Sequence, residues 1–444
     1  MSHSLSKKFT FGSLLLFALP TTVMMVVMSL YTIVDGVFVS RFVSTNALSS
    51  VNIVYPVINI VLGISVMLST GSNAIVAKKM GEGRPDSARE TFTTIILLNI
   101  IIGLVFAVLG NLAAVPLSRM LGASDLLLKD CVTYLRWQLA FAPSLMLQIQ
   151  FQMFFVTEGK PGIGLFLTLL AGIANAVLDY VLIVPMGMGI AGAAIGSSLA
   201  ELVSVIFFII YTWKRIDCRK YALNILPKFQ GKTLKRILNV SVWTMIQNFV
   251  SLSTWFMFFL FVEHLGERSL AIANIIRNVS GIPFMIAMAF ASTCGSLVSN
   301  LIGAGEQDCV RGTIKQHIRI GYIFVLPILV FFCLFPDLIL RIYTDIPDLR
   351  AASVPSLWVL CSAYLVLVPA NVYFQSVSGT GNTRTALAME LCVLAIYVTY
   401  SAYFIMYLRM DVAFAWTTEC VYGIFTLMFC YWYMKKGNWQ KKQI

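Results

Sequence analysis

Charge is what this chain of 444 residues has least of: Asp, Glu, Lys and Arg make up 12% of it, while 59% is hydrophobic. Ordinary soluble domains carry about 25% charged residues. Polar surface for several soluble domains is absent, which excludes a soluble enzyme and makes lipid the main solvent. A G-x-x-x-x-G-K-S/T loop is also absent, so an ATP-driven pump is excluded. Histidines number only three, and the nine cysteines (131, 218, 294, 309, 333, 361, 392, 420 and 430) show no CxxC spacing. Neither a zinc site nor a disulfide framework is indicated, and the cysteines read as small packing residues. Acidic residues are outnumbered 20 to 32, a net charge of +12. In a membrane protein that excess reports loops facing the cytoplasm, not nucleic-acid binding.

What is present is a series of long apolar runs. A bilayer-crossing helix needs about 20 apolar residues. Cutting the chain at charges, Gly/Pro clusters and polar runs predicts twelve spans: 10–39, 50–76, 92–117, 131–156, 163–185, 189–213, 237–262, 270–301, 316–336, 351–378, 385–407 and 411–434. The first exceeds a signal-peptide core and lacks a small-residue cleavage site. With the N-terminus inside, inner segments hold 22 of the 32 basic residues and outer loops seven, while Arg136, Arg277 and Arg319 fall within spans. Both termini and the basic 214–236 linker are therefore expected in the cytoplasm. The linker divides the chain into an N-lobe (1–213) and a C-lobe (237–444).

The halves repeat each other at an offset of 222 residues. Leu48, Asn52 and Ile53 map onto Leu270, Asn274 and Ile275; Gly81, Gly83, Arg89 and Thr91 map onto Gly303, Gly305, Arg311 and Thr313; Gly159 maps onto Gly381. Six spans per half give both halves the same orientation, so the expected symmetry is a pseudo-twofold axis along the membrane normal. The G-x-G loops are read as helix ends and turns.

Five acids fall inside spans: Asp35, Asp179, Glu201, Glu390 and Glu419. An unpaired carboxylate there costs several kcal/mol, so such residues are the first functional suspects. Asp35 and Asp179 lie late in outward-running spans. Asn175 shares a helical face with Asp179, and Ser197, with Ala193 one turn away, lies early in the returning sixth span. Two carboxylates, an amide and a hydroxyl at similar depth suit an alkali cation, and two nearby carboxylates equally share a proton. Glu419 occupies the repeat position of Ser197 and reads as a possible second titrating site. Glu390, one turn into the eleventh span, is expected to snorkel to the interface. Pro20 marks a bend or hinge in the first span. Met28, Tyr31, Gln148, Phe151, Gln152, Phe154, Trp255 and Met257 are candidates for a cavity lining, since methionine is adaptable and aromatic faces attract cations.

Pro20, Asp35, the G-E-G-R-P-D-S-A-R loop (81–89), its G-A-G counterpart (303–305), A-N-A-V-L-D (174–179) and A-A-I-G-S-S (193–198) together resemble the multidrug and toxic compound extrusion (MATE) family across essentially the whole chain. The segment Y-T-I-V-D-G-V-F-V (31–39) looks most like the bacterial branch containing DinF and MepA proteins. The resemblance implies an all-α membrane protein of twelve helices in two six-helix lobes. It also implies export of cationic or amphiphilic compounds against a proton or sodium gradient, with no other cofactor and in monomeric form. It places an N-lobe cation pocket at Asp35, Asn175, Asp179, Ala193 and Ser197. One departure stands out: where NorM-type members carry acidic residues in the seventh and tenth spans, this chain has Gln247, Asn248 and A-N-V-Y (370–373). A lipid-linked oligosaccharide flippase of the wider superfamily is the alternative; a channel is disfavoured because the acids are not repeated by symmetry.

Overall fold

The computed structural model describes residues 11–82, 85–157, 160–215, 231–436 and 439. Lys7, Lys8, Gly83, Arg84, Gly159, Lys441, Lys442 and all of the basic linker between 216 and 230 lie outside the described residues. The described chain is all-helical. Its elements are α1 (Phe11–Phe38), α2 (Thr45–Gly81), α3 (Pro85–Met120), α4 (Asp125–Ala140), α5 (Ala142–Thr157), α6 (Pro161–Ile183), α7 (Gly189–Arg215) and α8 (Gly231–Glu263). They continue with α9 (Glu267–Gly303), α10 (Gln307–Leu334), α11 (Pro336–Leu340), α12 (Pro347–Gly379), α13 (Thr383–Ser401), α14 (Val412–Ala415) and α15 (Thr417–Lys436). Short π-helical segments, Val39–Val43 and Ala402–Tyr407, extend α1 and α13.

Ten helical segments are long and apolar enough to cross a bilayer, and the bent pair α4–α5 makes an eleventh. The 28-residue α1, in which Ala18–Met28 is the apolar stretch among the described residues, is the remaining helix at an expected span. At about 1.5 Å per residue it is roughly 42 Å long, more than the ~30 Å hydrocarbon core. The helices outrun the apolar segments visible in sequence because their polar first turns, such as Gln307, Asp308 and Arg311 of α10, continue the helix beyond the apolar stretch. Residues 131–156 do not form the one continuous span expected: α4 and α5 meet at a 53° bend. Pro143, in the first turn of α5, has no N–H to donate and its ring crowds the carbonyl four residues back, so the helix breaks there.

Helix starts recur at the offset seen in sequence. Thr45, Pro85, Asp125 and Pro161 open helices, and so do Glu267, Gln307, Pro347 and Thr383, each 222 residues later. Gly305 and Gly381, both with φ of 77°, turn the chain after α9 and α12 in a conformation that a Cβ would strain. Arg311, part of the repeated loop motif, donates to the carbonyls of Met434 (3.4 Å) and Lys435 (3.0 Å) at the end of α15.

The chain divides into two compact units. Leu19–Val242 form one; Trp243 onward, with the start of α1 up to Ala18, form the other. The first has a core of apolar side chains from α2 to α7, centred on stacked rings: Phe92 on Phe154 (centroids 3.9 Å apart) and Phe208 between Phe151 (5.3 Å) and Phe155 (5.5 Å). Its α3 turns Ile101, Leu104, Val105, Val108 and Leu112 outward, an exposed apolar stripe at helical spacing that only lipid solvates. The second unit is built around α9, which packs on α12 through small residues. A Cβ on Gly295 would lie 2.8 Å from the Gln375 carbonyl oxygen, and one on Gly379 would collide with the Gly295 backbone. Close backbone approach of this kind holds helices together where no hydrophobic force separates them from lipid. Among the described residues every cysteine is a free thiol; Cys131 and Cys294 are fully buried, as packing residues should be, whereas Cys333 and Cys392 are exposed on helices and do not fit that reading.

Gly295→Val is expected to force α9 and α12 apart, costing about 1–3 kcal/mol as an overpacked interior does. Thermal unfolding of the purified protein in detergent should show the loss, while Gly281→Ala on the same helix, with no atom near its Cβ position, should leave the transition in place.

Candidate functional site

The Leu19–Val242 unit encloses a cavity of about 160 Å³. Its acidic wall comes from two helices. Asp35 lies just before the π-helical turn that ends α1, a local widening common where a helix carries function. On α7, Ser197 and Glu201 stand one turn apart on one face, and both line the cavity. Three tyrosines (Tyr31 of α1, Tyr55 of α2 and Tyr134 of α4), two amides (Gln138 of α4 and Gln148 of α5) and Thr168 of α6 complete the polar part. The break at Pro143 is what allows α4 and α5 to present residues to one cavity from different directions.

Behind this wall, α6 and α7 pack closely through Gly192 and Gly196. A Cβ on Gly192 would lie 3.0 Å from the Leu182 backbone, and one on Gly196 would collide with the Asp179 carboxylate. Asp179 and Asn175 are both 0% exposed and one turn apart on α6. Asn175 Nδ2 donates to Ser197 Oγ (3.2 Å), and Ser197 Oγ donates to Asp35 Oδ1 (3.4 Å), so one hydroxyl links α6 to α1. Asp35 and Asp179 carboxyl groups face each other within hydrogen-bonding range once either carries a proton. Both Asp179 oxygens and Asn175 Oδ1 are buried without a hydrogen-bond donor. Orphaned buried oxygens of this kind cost free energy unless a proton or cation supplies what the protein does not. The arrangement therefore offers oxygen ligands to an alkali ion, or a shared position to a proton. Ala193, 0% exposed, is one turn before Ser197 on α7 and adds close packing, not a ligand side chain.

Asp35, Asn175, Asp179 and Ser197 are thus brought together in one unit. Met28, Tyr31 and Gln148 stand on the cavity wall. Phe151 and Phe154 sit in the aromatic core, and Gln152 Nε2 donates to Thr168 Oγ1 (2.9 Å) in the interior. Trp255 belongs to the other unit, packed against Phe258, Phe259 and Trp416; Met257 is partly exposed there. Helix α1 runs on through Pro20. Tyr55, Tyr134, Gln138 and Glu201 enter the site without having been singled out as cavity residues. The sequence marks Glu201 only as an acid inside a span, and its spacing of four residues from Ser197 on one helix is the signal that could have placed it here; nothing local marks the three α2 and α4 residues.

The second unit treats its acids differently. Glu390 is 2% exposed and does not snorkel: Ser251 Oγ (2.8 Å) and Tyr422 Oη (3.0 Å) both donate to its Oε1. Hydroxyls on neighbouring helices offer it partners inside, which sequence position could not reveal. Glu419 Oε1 accepts from Tyr397 Oη (3.1 Å). Gln247 is buried and Asn248 exposed in α8.

Comparison with known proteins gives a consistent picture. The MatE family model matches residues 20–181 and 244–403. Among curated relatives, a probable multidrug resistance protein NorM from Thermotoga maritima is 23% identical over 96% of this chain and 92% of its own length. A multidrug export protein MepA from Staphylococcus aureus is 22% identical over 87% of this chain and 86% of its own. The outward-facing structure of a multidrug resistance MATE family transporter superposes with a TM-score of 0.88 at 18% identity, covering 97% of this chain and 96% of that one.

Substitution separates the two kinds of buried acid. Asp179→Asn removes a charge that no donor compensates and should leave thermal stability unchanged or raised. Glu390→Ala takes the acceptor from two part-buried hydroxyls and should lower it by about 1–3 kcal/mol. Unfolding curves of both purified variants against the unmodified protein are the measurement.

Proposed function

The chain belongs to the MatE family of membrane transporters, and on that premise we propose that it is an ion-coupled exporter of cationic or amphiphilic small molecules, exchanging them for protons or sodium ions by alternating access. The observation that carries this reading is Asp179, fully buried with both oxygens unpartnered and set against Asp35. The names of the relatives, multidrug resistance and multidrug export proteins, support the substrate class.

The chemistry of exchange follows from the cavity. Asp35 and Glu201 line it, and no Lys, Arg or His stands among its lining residues. In a low-dielectric surround such a site is costly unless something positive fills or neutralises it. A coupling ion on Asp35 and Asp179, or a cationic substrate beside them, meets that need, and each disfavours the other. Ser197 holds Asp35 to α6 through Asn175, so loading the pair changes the hydrogen bonds that tie α1 to α6 and α7. Pro20 leaves a carbonyl of α1 without its helical partner and gives that helix a place to bend. Glu419, held by one tyrosine, is a second titrating site of lesser weight. The Lys and Arg excess on the segments read as inner supports cytoplasmic termini and a place in the cell membrane; a monomer among lipids, without nucleic-acid contact, belongs to the same reading. A lipid-linked sugar phosphate would meet no basic residue on this cavity wall, which favours the exporter reading over a flippase.

In inverted membrane vesicles, uptake of a cationic dye should follow an imposed pH or sodium gradient, collapse with it, and gain nothing from ATP. Asp35→Asn and Asp179→Asn should each reduce transport to background at matched protein level. The double variant should be little worse, because residues that act as a unit are non-additive. Glu419→Gln should do less damage. Near-normal transport by either single aspartate variant would place coupling elsewhere.

A further inference from the structure

We propose that Glu201 is the anchor for the positive charge of the transported molecule, a task separate from ion binding at Asp35 and Asp179. This rests on the export reading above and names the residue that gives it charge selectivity. Four residues beyond Ser197 on α7, Glu201 shares its face and lines the same cavity. Asp35 is held by the Ser197–Asn175 bridge, and Asp179 faces Asp35. Glu201 has no salt bridge or side-chain hydrogen bond among the described residues, and no basic side chain lines the cavity to neutralise it. A carboxylate placed this way inside a membrane unit obtains a counter-charge from the ligand or not at all.

The walls match that ligand. Tyr31, Tyr55 and Tyr134 stand around the same space, and tyrosine faces attract cations, most strongly when water is excluded. The volume of about 160 Å³ is below the roughly 300–1,000 Å³ typical of pockets that enclose whole drug-sized ligands. It takes a compact ammonium or iminium group, the charged end of a larger amphiphile, with the nitrogen between Glu201 and the tyrosines. Asp179, fully buried with neither oxygen hydrogen-bonded, keeps the coupling ion on a different carboxylate from the substrate, and the two cations disfavour each other by charge repulsion.

The test compares ethidium, a permanent cation, with phenanthridine, its uncharged parent ring, by equilibrium binding to the purified full-length protein at mildly alkaline pH. Glu201→Gln keeps the size of the side chain and removes its charge. It should weaken ethidium about tenfold or more, equivalent to about 1.4 kcal/mol, and change phenanthridine by less than about twofold. Glu201→Asp keeps the charge on a shorter arm and should recover part of the loss, which a merely structural residue would not show. Ethidium binding by Glu201→Gln within about twofold of the unmodified protein, or equal losses of both probes, would overturn the assignment while leaving the export reading intact. Absence of ethidium binding and transport in the unmodified protein would overturn both.

Discussion

The cost of holding a carboxylate in a low-dielectric helix bundle is the constraint around which the first unit is arranged. Asp179 is fully buried with neither oxygen satisfied, and the surroundings keep it so. Gly192 and Gly196 bring α7 close enough to exclude any side chain from that side. Asn175 is turned to Ser197, and Ser197 to Asp35. An acid left unsatisfied in the interior costs stability, and local instability of this kind is common at functional sites.

Elsewhere the same cost is met locally. Hydroxyls on the helices return to their own backbones: Thr94 to the Glu90 carbonyl (2.7 Å), Ser118 to Ala114 (2.8 Å) and Ser353 to Leu349 (2.8 Å). Such back-bonding lets a polar side chain sit in an apolar span without a partner helix. Arg277, a basic residue within a span, places its guanidinium over the Phe259 ring at 5.2 Å. Glu390 collects two hydroxyl donors on Oε1, while its buried Oε2 has none. Against these, Asp179 and Glu201 stand out as acids that the described protein does not compensate.

The two halves share helix starts but not helix continuity. Residues 125–157 are broken beside Pro143, whereas Pro347–Gly379 at the repeat position stay one helix despite Pro355 and Pro369. The position of Pro143 in the repeat is Leu365, so this bend belongs to the first half alone. That difference gives one unit a cavity framed by α4 and α5 from two directions, and gives the other an unbroken α12 packed along α9. One repeated pattern of helix starts thus supports two different interiors.

Sequence alone determined the membrane class, the placement of nearly every span, the internal repeat and the aspartates, amide and hydroxyl of the acidic site. Hydropathy and periodicity are local properties, and a buried acid in an apolar run is conspicuous without any structure. Only tertiary structure decided which side chains share a cavity. Tyr55, Tyr134 and Gln138 come from distant segments and carry no mark in their neighbourhoods; Phe151 and Phe154, equally aromatic, turn into the core. Glu390 and Glu201 are both glutamates in spans, yet one faces a serine and a tyrosine and the other faces open space. The difference lies in what the neighbouring helices present, and a one-dimensional pattern holds no record of that.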